Sequence, residues 1–152
     1  MNWLEVLLMS AVPLTEMKVA IPVGINVYNI NPITVFFLSF VGSLLPVPFI
    51  LIFFNKIFDF LGKYKFFRGF YNLIDRKISK NRGRFEKFEE VALIAFIAIP
   101  LPTTGVWTGT AVAAFLKLDF KKSVICAVIG SFICGIIVTF LSLAFPAFLN
   151  IL

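Results

Sequence analysis

Val12-Pro13-Leu14-Thr15-Glu16-Met17-Lys18-Val19-Ala20-Ile21-Pro22-Val23-Gly24 interrupts an apolar stretch that runs roughly over residues 3–30. It places a carboxylate and an ammonium in the middle of that stretch. Its prolines lack a backbone donor, and its glycine permits irregular backbone. Part of the pattern returns later in the chain. Val12-Pro13-Leu14 recurs as Ile99-Pro100-Leu101, displaced by 87 residues (100 minus 13). Val41-Gly42-Ser43 recurs as Ile129-Gly130-Ser131, displaced by 88 (130 minus 42). In each copy a Pro-broken stretch comes first and an uninterrupted one follows. A nearly constant displacement implies a duplicated unit. In membranes, repeats built on broken helices point to a transport site.

Composition fixes the class. The 152 residues are 60% hydrophobic and 14% charged, with a mean hydropathy of +0.98. Soluble domains carry about 25% charged residues, and twenty Phe are too many for a soluble core of this size. The chain reads as one membrane domain over residues 1–152. Repeat one spans 1–54, a basic connector 55–88 and repeat two 89–152. Glu5 stands where a basic leader would be, so no cleavable signal peptide is expected.

The absence of His excludes His-based metal sites and Ser-His or Cys-His catalysis. Cys126 and Cys134, on one helix, would lie about 12 Å apart along its axis, too far for a bridge. They read as small packing or lipid-facing residues. No glycine-rich nucleotide loop is present, which argues against ATP-driven transport. No nucleophile–base pair is visible, so the chain is not expected to be an enzyme or to need a cofactor or metal.

Four apolar segments cover roughly 3–30, 33–54, 91–116 and 121–149. The second and fourth read as spans, with Pro46 and Pro48 kinking the second. Pro13, Pro22 and Gly24 interrupt the first; Pro100, Pro102, Gly105 and Gly109 interrupt the third. Two arms of about 10–12 residues would each be about 15–18 Å long, roughly half the 30 Å hydrocarbon core. Each broken segment is therefore expected to be a re-entrant hairpin. Lys and Arg crowd the connector from Lys56 to Lys87 and again at Lys117, Lys121 and Lys122, whereas residues 25–32 carry none. Four full spans would separate the two basic clusters across the membrane, against the cytoplasmic bias of Lys and Arg. Two hairpins and two spans put both clusters in the cytoplasm and both termini outside. The fold class expected is all-α and integral to the inner membrane, an inverted repeat of two re-entrant hairpins, each followed by a transmembrane helix.

Phe60, Tyr64, Phe67, Tyr71, Ile74 and Ile78 fall at helical spacing and form one apolar edge among basic residues. They predict an amphipathic helix on the anionic inner membrane surface. Membrane lipids are the expected partners, and nucleic acid is not.

Glu16 and Lys18 are the ionisable groups deep in the first segment, and charges at that depth are functional by default. Glu16 is a candidate proton relay. The two could instead be a neutralising pair that only pins the hairpin. The second tip, Pro100-Leu101-Pro102-Thr103-Thr104-Gly105-Val106-Trp107-Thr108-Gly109-Thr110, is polar but uncharged. In each hairpin the second arm starts at the tip, so its helix N-terminus presents free N–H groups and a positive dipole end. Two such ends with Lys18 nearby suit an anion. Small tip residues also permit close helix contact, and Gly42-Ser43 and Gly130-Ser131 read as packing faces.

Glu16 with Ala20-Ile21-Pro22-Val23-Gly24, and later Pro100 through Gly109, resemble the two signature stretches of the putative small multidrug export protein family. That family is similar to the wider DedA-like (VTT-domain) superfamily. The resemblance implies two re-entrant hairpins packed between membrane helices. For DedA-like relatives it implies proton-linked movement of lipid phosphates such as undecaprenyl phosphate, or phospholipid scrambling. DedA-like proteins carry arginines around the second hairpin, but Phe96 to Gly109 holds no charge here. Lys18 stands where the family often has Arg, which keeps the charge but loses the bidentate fork.

The expected function is a secondary transporter or flippase for an anionic amphiphile, coupled to protons and acting as a homodimer. Glu16 would relay protons. Lys18, Pro22, Gly24, Pro102, Thr103, Thr104, Gly105, Trp107, Thr108 and Gly109 would line the substrate site. The alternatives are a proton-driven exporter of cationic drugs, with Glu16 as the binding charge, and a non-transporting membrane scaffold.

Overall fold

The first apolar segment breaks once, between Ala11 and Glu16. The computed structural model describes residues 2–61, 82–101 and 104–149. These form seven helices and, among the described residues, no strand: α1 Asn2–Ala11, α2 Glu16–Asn26, α3 Pro32–Leu44, α4 Val47–Leu61, α5 Arg82–Ala98, α6 Val106–Phe115 and α7 Phe120–Leu149. At 1.5 Å per residue, α1, α2 and α6 are about 15–17 Å long.

Two stretches are long and apolar enough to cross a membrane, Pro32–Ile57 (26 residues) and Phe120–Ala144 (25 residues). At about 39 and 38 Å both exceed the roughly 30 Å hydrocarbon core. Asn31 starts the first, its side chain accepting the Ile33 N–H at 2.9 Å with Pro32 at the first helical position. The expected kink is a turn at Leu45-Pro46 between α3 and α4. Pro46 and Pro48 cannot donate to the carbonyls four residues back, and the ladder resumes with Ile50 N–H to Pro46 O at 2.9 Å.

Two expectations need correction. Pro22 and Gly24 do not interrupt the first segment. Pro22 lies inside α2, and the one donor it removes does not stop the helix. The break is confined to residues 12–15, where Pro13 leaves the Met9 carbonyl without its helical donor and the Thr15 hydroxyl replaces it. Gly109 likewise lies inside α6. Helix α4 runs on to Leu61 and α5 begins at Arg82, so the described helices reach into the connector from both sides. The amphipathic helix expected over Phe60–Ile78 lies, beyond Leu61, outside the described residues.

The interior mixes small residues with aliphatic ones such as Met17, Ile21, Leu51 and Ile97, and the surface carries large apolar side chains, which suits a lipid solvent. Ser10, Ser39, Ser43, Ala113, Ala127 and Ser131 are buried, whereas Phe37, Phe49, Phe53, Phe132 and Phe140 are exposed. The buried Ser10 and Ser142 hydroxyls bond back to their own helices, at 2.6 Å to Val6 O and 2.7 Å to Val138 O, whereas those of Ser39 and Ser131 have no partner among the described residues. Cys126 and Cys134 are buried free thiols.

One packing contact occurs twice. A Cβ on Gly42 would lie 2.5 Å from Leu7 O and 2.9 Å from Ser10 Cβ; on Gly130 it would lie 3.0 Å from Ile94 O and 2.7 Å from Ile97 Cβ. The glycines differ by 88 positions (130 minus 42) and their partners by 87 (94 minus 7, 97 minus 10). Val35, Ser39, Gly42, Ser43, Val47 and Ile50 are buried, and so is every residue 88 positions later, from Ser123 to Val138. The layout matches as well. Helix α1 packs on α3 and α5 on α7, while α2 crosses to α7 and α6 crosses to α4. That crossing brings the two breaks together.

Candidate functional site

Helix α6 begins with Gly105 in extended backbone (φ 161°, ψ −167°) and has no side-chain cap of its own. The cap comes from the other tip. Glu16 Oε1 accepts the Trp107 N–H at 3.2 Å. Glu16 therefore does in trans what an Asp or Ser does at an ordinary helix start, satisfying a free donor at a positive dipole end. Its own backbone is left-handed (φ 43°), uncommon for a residue with a Cβ. Only 4% of the residue is exposed, so this carboxylate needs its partners.

Lys18 closes the other side. Its Nζ lies 3.4 Å from Glu16 Oε2 and donates to Leu101 O at 2.7 Å. In return, Trp107 Nε1 donates to Ala11 O at 3.0 Å. Both carbonyls sit at helix breaks, where the ladder supplies no donor. Each tip thus satisfies a carbonyl of the other. Thr104 Oγ1 bonds Ile99 O at 2.7 Å and Leu101 O at 3.4 Å, holding the second break in shape.

Gly105 is required by its neighbour rather than by its backbone. Any residue adopts that extended conformation, but a Cβ there would overlap the Glu16 carboxylate.

Two cavities flank the junction. One of about 650 Å³ is lined by Lys18, Pro22 and Asn26 of α2, by Pro100, and by α7. Asn26 Nδ2 reaches Ser142 O of α7 across it at 3.4 Å. The other, of about 620 Å³, lies between α4 and Trp107.

The structure thus brings together Glu16, Lys18, Gly105 and Trp107, with Pro22 beside Lys18 and Thr104 behind Leu101. It places others elsewhere. Gly24 lies where a Cβ would come within 2.7 Å of Val35, and Gly109 against Ile97; both are helix contacts. Thr108 is exposed and bonds Gly105 O of its own helix at 3.4 Å. Pro102 and Thr103 lie outside the described residues. The α6 N-terminus, expected to suit an anion, is met by the Glu16 carboxylate. The carbonyls of Ala11 and Leu101, and Asn26 and Ser142, were missed. Asn26 and Ser142 are polar residues in apolar segments, a signal that was present; the carbonyls had none.

The family model described as Putative small multi-drug export protein matches residues 16–137, which is 122 of 152 residues (137 minus 16, plus 1) and includes both tips. The chain belongs to this family. Membership and the two long apolar helices make it a membrane protein, and the family's description is that of a transporter rather than an enzyme. No curated protein and no solved structure matches the chain.

Proposed function

We propose that the protein is a secondary transporter of an anionic amphiphile such as a lipid phosphate, and that the substrate's head group exchanges with the Glu16 carboxylate. The supporting observation is the company Glu16 keeps. An ammonium and a helix N–H already clasp an anion at the mouth of a 650 Å³ cavity whose charged lining residue is Lys18. Two carboxyl-type anions cannot share those donors. A proton on Glu16 removes its charge and weakens its hold. Lys18 and the α6 N-terminus are then free for a phosphate or carboxylate head group, as at other helix N-termini. Proton and anion would enter the site together, and loss of the proton would return Glu16 to its donors and expel the substrate. The cavity wall of Val138, Leu141 and Ala144 suits an apolar tail.

In this reading the two broken segments are re-entrant hairpins in an inverted repeat, as in DedA-like proteins. The basic connector is cytoplasmic, both termini are outside, and a second copy completes the lateral enclosure.

The family's description favours a second reading, export of cationic drugs with Glu16 as the counter-charge. It requires Glu16 to leave Lys18 for the drug. Proteoliposomes separate the two. Fluorescent short-chain phosphatidic acid and ethidium are compared under a proton gradient, in wild type and Lys18→Gln. Our reading expects translocation of phosphatidic acid, at least tenfold slower in Lys18→Gln. Ethidium transport that persists or improves in Lys18→Gln, with no movement of phosphatidic acid, would establish the drug reading instead.

A further inference from the structure

The cavity between α4 and Trp107 has no part in the exchange just described, yet its wall repeats that of the first. Val138, Leu141, Ser142 and Ala144 of α7 line the first cavity. Ile50, Phe53, Phe54 and Lys56 of α4 line the second. Each lies 88 positions before its counterpart (138 minus 50, 141 minus 53, 142 minus 54, 144 minus 56). The crossing helices correspond too, since α2 faces α7 at the first cavity and α6 faces α4 at the second. The volumes, about 650 and 620 Å³, are nearly equal.

We propose that this second cavity is a binding site for an anionic amphiphile, with its head group on Lys56 and its hydrocarbon chain against Phe49 and Phe53. The occupant follows from the lining. The walls are aromatic and aliphatic, Phe49 and Phe53 are 73% and 61% exposed, and the charge is one exposed lysine. An anionic head on a hydrocarbon tail fits this lining; a cation would meet Lys56. The two cavities also meet at one residue. Lys18, lining the first, stands 3.4 Å from the Glu16 carboxylate. Trp107, lining the second, donates its N–H to the same carboxylate at 3.2 Å. Glu16 is thus the contact between a site on each side of the tip junction.

The ligand class is that of the proposed function, but the site is argued from Lys56 and its own lining and does not rest on it. Trp107 supplies its own probe. Only Trp3 and Trp107 are present, so Trp3→Phe leaves Trp107 as the single indole. This variant is reconstituted in phosphatidylcholine vesicles containing brominated phosphatidylglycerol or brominated phosphatidylcholine at equal mole fraction. We expect the anionic lipid to quench Trp107 with about fivefold higher relative affinity, the effect of one lysine near an anionic head group. Lys56→Gln should abolish that preference and Lys56→Arg retain it. Equal quenching by the two lipids, or a preference unchanged in Lys56→Gln, would overturn the site. A retained preference with no phosphatidic acid transport would overturn the proposed function and leave the site standing.

Discussion

Gly105→Ala tests whether the Glu16 carboxylate sits where the structure puts it. Extended backbone at Gly105 accepts alanine without strain, so the cost must come from overlap with Glu16. The carboxylate has to move, and its bond to the Trp107 N–H is lost. A hydrogen bond to a charged group is worth about 1.5–3 kcal/mol. Gly105→Ala should therefore destabilise by that amount. Glu16→Ala removes the same bond and should cost about as much. In the double variant the new Cβ enters vacated space, and alanine lowers the entropy of the unfolded chain by about 0.4–1 kcal/mol. The double variant should thus be no less stable than Glu16→Ala alone, giving a coupling of about 1.5–3 kcal/mol. Equilibrium unfolding in mixed detergent–SDS micelles, followed by circular dichroism, measures all four corners of the cycle. Costs that add to within about 0.5 kcal/mol would show that the two residues do not touch, and the trans cap would be refuted.

Three other outcomes follow from the same geometry. Trp107→Phe leaves the Ala11 carbonyl without its donor and should lower stability by about 1–3 kcal/mol, read in the same unfolding assay; an unchanged midpoint would remove the indole bond from the account. Gly42→Ala and Gly130→Ala place a Cβ against Leu7 O and Ile97 Cβ respectively, and each should cost about 1–3 kcal/mol; a harmless result at one and a severe one at the other would argue against equivalent packing. For topology, Val27→Cys should react with an impermeant maleimide from outside and Lys121→Cys only after permeabilisation. The native thiols are buried and should not interfere. Labelling of both from one side would fit four full spans and rule out the hairpins.

The parts of this arrangement written in side chains were legible. Gly42-Ser43 and Gly130-Ser131 repeat at fixed displacement because each must admit a neighbouring helix at a backbone carbonyl. Glu16 and Lys18 stand out because a charge in an apolar segment needs a partner. What they bind was not legible, since it depends on α2 and α6 crossing until the two breaks meet. Ala11 and Leu101 take part only through carbonyls, which every residue has. Pro22 looked like a break because proline removes a donor, but one missing bond inside α2 is tolerated. An anion was expected at the second helix end because a helix N-terminus presents free donors. That the chain supplies this anion itself could be known only once the tips were placed together.

In the proposed exchange, Glu16 and the substrate compete for Lys18 and the α6 N-terminus. The affinity of short-chain phosphatidic acid, measured by native mass spectrometry on wild type, Glu16→Gln and Lys18→Gln, tests it most directly. The two substitutions should act with opposite signs. Binding tightens in Glu16→Gln, where the internal rival has lost its charge, and weakens about tenfold in Lys18→Gln, which removes a charged donor. Weaker binding in Glu16→Gln, or binding indifferent to both substitutions, would contradict it.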